Sequence, residues 1–134
     1  MADRQVIEAP GAPLPIGAYS NGVRVGDLVF VAGQVALDRD GRLVGPGDVA
    51  AQTRQVFHNI AQVLEAAGSS ISRVVETTTY LVGRESIHPF LEARTALFQE
   101  LFPEGDYPAN TLLIVDGLVR EEFLVEVKAV AVAG

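Results

Sequence analysis

The stretch "DVAAQTRQVFHNIAQVLEAAGSSISRVVETTTYLV", Asp48 to Val82, changes its period part-way along. In its first half Val49, Val56, Ile60, Val63, Leu64 and Ala67 return at helical spacing and line one face of a helix. Asp48 has the short acceptor side chain of an N-cap, and Gly68 is the residue type that ends helices. In the second half, "SRVVETTTYLV" is β-branched and aromatic, the composition of a strand. A helix that returns to a strand within a few residues predicts a layered fold, with the helix laid on a sheet. The crossover from Val31 through this helix to Val74 is expected to be right-handed.

Upstream, the first residues carry Pro10, Pro13 and Pro15, which predict an extended arm rather than a helix. In "VRVGDLVFVAGQVAL", Val23 to Leu37, two apolar runs flank Gly26-Asp27, a two-residue hairpin signal. "DRDGRL" is a second turn with Asp40-Gly41 at its tip. Downstream, a second helix is expected from about Ser86 to Phe102, with Phe90, Ala93, Leu97 and Leu101 on one face and Pro103 ending it. "TLLIVDGL", Thr111 to Leu118, and "FLVEVKAVAVA", Phe123 to Ala133, read as strands. The predicted order is hairpin, helix, strand, helix, strand, strand. It gives one α+β domain over residues 1–134, a mixed sheet with two helices on one face. The last two strands are nearly continuous apolar runs, which implies burial on both faces. Helices cover only one face in so short a chain. The other face is expected to meet another copy of the same chain.

Composition narrows the function. The 134 residues are 49% hydrophobic and 20% charged, ordinary for a compact core. There is no cysteine, which excludes disulfides, thiolate metal sites and a cysteine nucleophile. The net charge of −7 repels phosphate backbones, so nucleic acid is not expected as a partner. The segment "MADRQVIEAP" has no apolar h-region and no run approaches a membrane span, so a cytoplasmic location is expected. His58 and His88 have no further ligand at metal spacing, and no G-x-S-x-G elbow is present. Neither metal nor serine-hydrolase chemistry is expected.

Three stretches together resemble the reactive-intermediate deaminases, the Rid or YjgF/UK114 family. They are "IGAYSNGVRVGDLVFVAGQVALD" (Ile16 to Asp38), the Asp48–Val82 segment, and "YPANTLLIVDGLVREEFLVEVKAVAV" (Tyr107 to Val132). The resemblance implies a chorismate-mutase-like α+β fold and a homotrimer, with sheets inside a barrel and helices outside. It further implies cofactor-free hydrolysis of reactive enamines and imines, such as 2-aminoacrylate, to a 2-keto acid and ammonia, in clefts between subunits.

Active members of that family carry an Arg after the Pro-Ala at the start of the penultimate strand. A planar guanidinium grips a carboxylate bidentately and stays charged, which suits that role. Here Asn110 stands in its place, either a weaker, uncharged donor or simply a turn residue. The family often has an Asn on the second helix. That position falls on Arg94 or on Thr95, depending on the anchor. If on Arg94, Arg and Asn have exchanged places and Arg94 supplies the cation; otherwise it is a solvated surface Arg. Arg120 is a weaker candidate.

Glu126 matches the family's acidic residue on the last strand, placing the attacking water; the bland alternative is a structural ion pair with Lys128 or with an Arg across the interface. Tyr19 matches the tyrosine of "YS", covering the substrate. Gly33 offers a backbone N–H, and Ala32 stands where many members have Ser. Leu112 lies where some members have Cys. Phe90, with Ile87, walls the cleft or fills the core. The expectation is a deaminase acting on an imine or enamine other than simple 2-aminoacrylate, one candidate being a larger unsaturated amino acid. The alternative is a trimer that binds a small carboxylate metabolite without hydrolysing it. A nuclease activity is disfavoured by the acidic charge.

Overall fold

The computed structural model describes residues 3–134. Six strands and two α-helices follow in the order β1 (Arg4–Ile7), β2 (Gly22–Val25), β3 (Leu28–Gln34), α1 (Val49–Ala66), β4 (Val74–Val82), α2 (Ile87–Leu101), β5 (Ala109–Val115) and β6 (Val125–Val132). They form one mixed sheet in the order β1-β2-β3-β6-β4-β5. Only β4 and β5 pair in parallel; every other neighbour is antiparallel.

Local chemistry explains most of these boundaries. Asp48 accepts a hydrogen bond from the Ala51 N–H at 3.1 Å and so caps the start of α1. At its other end Gly68 takes a φ of 80°. The Gly68 N–H bonds Glu65 O and the Ser69 N–H bonds Leu64 O, the paired closure of a Schellman motif. The Arg24 guanidinium donates to Ala67 O at 2.9 Å, placing a cation at the negative end of the helix. Gly26, at φ 57°, turns the hairpin that pairs Val25 with Leu28.

Two expectations need correction. The proline-rich arm begins with a strand: β1 pairs with β2 from Arg4↔Val25 to Ile7↔Gly22. The penultimate strand starts earlier than "TLLIVDGL", because Ala109 and Asn110 already pair with Glu76 and Thr77. The strand β5 is an edge strand with five of its seven residues exposed within the single chain.

Both helices lie on one face. Val56, Phe57, Ile60, Val63 and Leu64 of α1 and Phe90 and Phe98 of α2 pack on Val29, Val31, Leu81, Val125, Val127, Ala129 and Ala131. At about 25 cal/mol per Å² of apolar area, this contiguous layer is the main stabilising contribution. Among the described residues, no helix is laid on the opposite face of the sheet. There Leu28 (44% exposed), Phe30 (46%) and Leu113 (41%) stand with Glu126 and Lys128.

Candidate functional site

The register of β3 on β6 slips between Val31 and Gln34: Val31 pairs with Ala129 and Gln34 with Val127. One extra residue, in Ala32-Gly33, therefore bulges out opposite Lys128. The bulge turns the Gly33 Cα toward Glu126. A β-carbon at Gly33 would lie 2.9 Å from Glu126 Cδ, so only glycine allows this approach.

Buried Asn21 fastens the preceding loop to the bulge. Its side-chain N–H donates to Pro13 O at 2.7 Å, its Oδ1 accepts from Gln34 Nε2 at 3.3 Å, and its backbone O accepts from the Ala32 N–H at 2.8 Å. That loop carries Tyr19, whose hydroxyl accepts from the Ile16 N–H at 3.3 Å. The result is an open recess of about 490 Å³ lined by Ile16, Gly17, Tyr19, Ala32, Gly33, Val35, Val119 and Glu126. Four expected site residues thus meet in one place.

Glu126 is the chemical centre of this recess. Burial pushes its carboxyl above the ordinary carboxylate range. Among the described residues it makes no ion pair, and the expected alternative of a bridge to Lys128 is not formed. A carboxylate with reduced solvation and no cationic partner is a stronger base than an exposed one.

Arg94 and Asn110 lie elsewhere, in a second recess of about 170 Å³ with Thr95, Phe98, Tyr107 and Pro108. The two recesses share no lining residue. Arg94 sits on α2 between Phe90 and Phe98, its guanidinium carbon 5.2 Å and 5.9 Å from their ring centroids. Burial lowers its pKa. Asn110 does not serve a turn. It lies within β5, and its Oδ1 accepts hydrogen bonds from the Thr77 and Thr79 hydroxyls at 3.0 and 3.1 Å.

Phe90, Ile87 and Leu112, all expected at the cleft, do not line either recess. Phe90 is 0% exposed and belongs to the core beneath Arg94. Leu112 packs against the same core. The residues that sequence reasoning missed are Asn21, Thr77 and Thr79. The last two alternate on a strand face shared with Leu81, a pattern that signals buried hydroxyls needing partners.

Residues 9–133 match the family described as endoribonuclease L-PSP, known also as YjgF, RutC or Rid. The chain belongs to this family. Among L-PSP relatives, a RutC family protein of Pyrococcus abyssi is 36% identical over 128 residues, 96% of each chain. The 2-iminobutanoate/2-iminopropanoate deaminase of Mus musculus is 34% identical over 131 residues, 98% of this chain and 93% of that one. In structure, the L-PSP chain overlays E. coli TdcF, solved with bound serine, at a TM-score of 0.88 and 27% identity, covering 97% and 99% of the two chains. Its six-stranded sheet with two helices is the architecture of these L-PSP structures. Among the described residues, no helix is long and apolar enough to cross a membrane.

Proposed function

We propose that this protein is a cofactor-free hydrolytic deaminase of a reactive imine or enamine, working as a homotrimer. The observation that carries the reading is Glu126: a half-buried, unpaired carboxylate of raised pKa, beside Gly33 and Tyr19 in a recess open to a ligand. The names of the deaminase relatives, at 34% identity over nearly the whole chain, support the same chemistry.

In this mechanism an enamine first tautomerises to its imine. Glu126 takes a proton from water as the water oxygen bonds the imine carbon. Glu126 returns that proton to the nitrogen, giving the carbinolamine; its hydroxyl proton then passes to the nitrogen as C=O forms and the C–N bond breaks, and ammonia leaves with a 2-oxo acid. Tyr19 closes over the reacting atoms, and the Gly33 backbone approaches them without a side chain in the way. The bare apolar sheet face supports assembly, since burying it against a second copy removes Leu28, Phe30 and Leu113 from water. A cyclic head-to-tail trimer also places different surfaces of neighbouring copies against each other. That lets the Glu126 recess of one copy meet the Arg94 recess of the next.

The absence of an Arg at Asn110 favours a substrate other than simple 2-aminoacrylate. The same substitution is the specific observation behind a second reading, a trimer that binds a small carboxylate metabolite without turnover.

The test generates imines from a panel of amino acids with an amino-acid oxidase and traps survivors with semicarbazide. Faster imine loss with purified protein is expected, and Glu126→Gln is expected to cut the rate about a hundredfold. No acceleration across the panel, with a 2-oxo acid still bound, leaves the binding reading.

A further inference from the structure

The arm that precedes β2 is held in place at several points. Its strand β1 pairs with β2, and the Ala12 N–H bonds Ala9 O at 3.0 Å to close the turn that follows. Pro10, Pro13 and Pro15 fix the backbone at three positions. The buried Asn21 amide holds Pro13 O at 2.7 Å. Between this arm and the loop of Tyr19 lies a pocket of about 490 Å³. It shares one lining residue with the Glu126 recess, and that residue is Tyr19.

The arm pocket is apolar, with Val6, Ile7, Ala9, Leu14 and Pro15 along its walls. Leu14 is 84% exposed, and Val6 and Tyr19 are about half exposed. A loose segment could fold such side chains away from water. This one is fixed by its prolines, its strand pairing and Asn21, so the apolar surface stays open. A preformed apolar pocket of this size suits a small-molecule tail, because little ordering is left to do on binding. Glu8 is the single charged residue in its lining among the described residues, and it opposes a second acid group there.

Tyr19 sets how the two spaces join. Its hydroxyl accepts from the Ile16 N–H at 3.3 Å, which ties the ring to its own loop. The ring is thus a partition between the Glu126 carboxylate on one side and the arm on the other. We propose that the arm pocket is a side-chain subsite of the Glu126 recess, taking a long apolar side chain with an uncharged end that passes the Tyr19 ring. The proposal rests on the deaminase reading for the reacting group and names its substrate class: the imine of an amino acid with a long, uncharged apolar tail.

Binding and turnover test it separately. Calorimetric titration of the full-length protein compares 2-oxobutanoate, 2-oxooctanoate and 2-oxooctanedioate. Each methylene buried is worth up to about fourfold in affinity, so 2-oxooctanoate is expected to bind at least about thirtyfold more tightly than 2-oxobutanoate. The dioate is expected to lose most of that gain, and Glu8→Gln to restore part of it. Leu14→Asp places a charge in the pocket at a position that the fold leaves in water. It is expected to lower the long-to-short affinity ratio about tenfold with little change in melting temperature or particle mass, while Leu14→Met keeps the ratio. Imines of 2-aminobutyrate and 2-aminooctanoate, made with an amino-acid oxidase, are expected to show the same ratio in kcat/KM, carried by KM. Equal binding of the short and long acids, an unchanged ratio in folded Leu14→Asp, or a smaller particle with loss of both ligands overturns the proposal. Hydrolysis of the short imine with no advantage for the long one overturns the subsite and leaves the deaminase reading. A Leu14-dependent preference for 2-oxooctanoate without hydrolysis of either imine overturns the deaminase reading and leaves the subsite standing.

Discussion

Gly33 and Glu126 are fitted to each other: the glycine's missing side chain is the space that the Glu126 carboxylate fills. The bulge in β3 that makes this contact also sets Ala32 and Gly33 on the wall of the recess. A backbone irregularity thus determines where the Glu126 carboxylate stands.

Gly33→Ala is expected to separate activity from stability. The atoms that an added methyl would meet belong to the end of the Glu126 side chain, which can swing aside. The melting temperature should change little, while kcat/KM for imine hydrolysis falls about tenfold or more as the carboxylate leaves its place. Equal losses of both would mean that Gly33 serves the sheet and not the site.

The raised pKa of Glu126 predicts the pH dependence of stability. Its folded pKa lies above the unfolded value, so the folded state binds more protons between the two. Stability is therefore lost as pH rises through that window. Glu126→Gln removes the burden of a buried charge. Thermal melts of the two proteins should show the variant more stable at pH 7, with the gap closing below the ordinary carboxylate range. A gap that widens on acidification would contradict the assignment.

Phe30 reports on assembly. It is 46% exposed in the single chain, so Phe30→Asp costs the isolated fold little. Light scattering should give wild-type particles about three times the 14.2 kDa chain and a smaller species for the variant. A variant that keeps the wild-type mass would show that this face is not the one buried between copies.

The elements were largely legible because each carried a local signal. The change of period between Ala67 and Val74 marks the helix-to-strand transition, and Asp48 and Gly68 perform as caps. The strand β1 was not legible: Arg4–Ile7 is short, three of its residues are exposed, and the prolines after it suggest an unpaired arm. Pairing with β2 is a tertiary event that no window of sequence records. At the site, Tyr19, Ala32, Gly33 and Glu126 were named from the chain and lie together. The hydroxyls that orient Asn110 were not, because Thr77 and Thr79 are 33 and 31 residues away in sequence and meet it only through the parallel register of β4 and β5. Phe90 was equally compatible with wall and core, and burial beneath Arg94 decides for the core.

The central claim is a hydrolytic site divided between neighbouring copies. It is tested most directly by co-expressing Glu126→Gln and Arg94→Met chains under separate tags and measuring imine hydrolysis. Each variant alone is expected to be nearly inactive. In random mixed trimers a complete site forms wherever an intact Glu126 meets an intact Arg94 from its neighbour, so about a quarter of wild-type activity should return. A mixture no more active than the variants apart, beside an active wild type, would contradict the divided site.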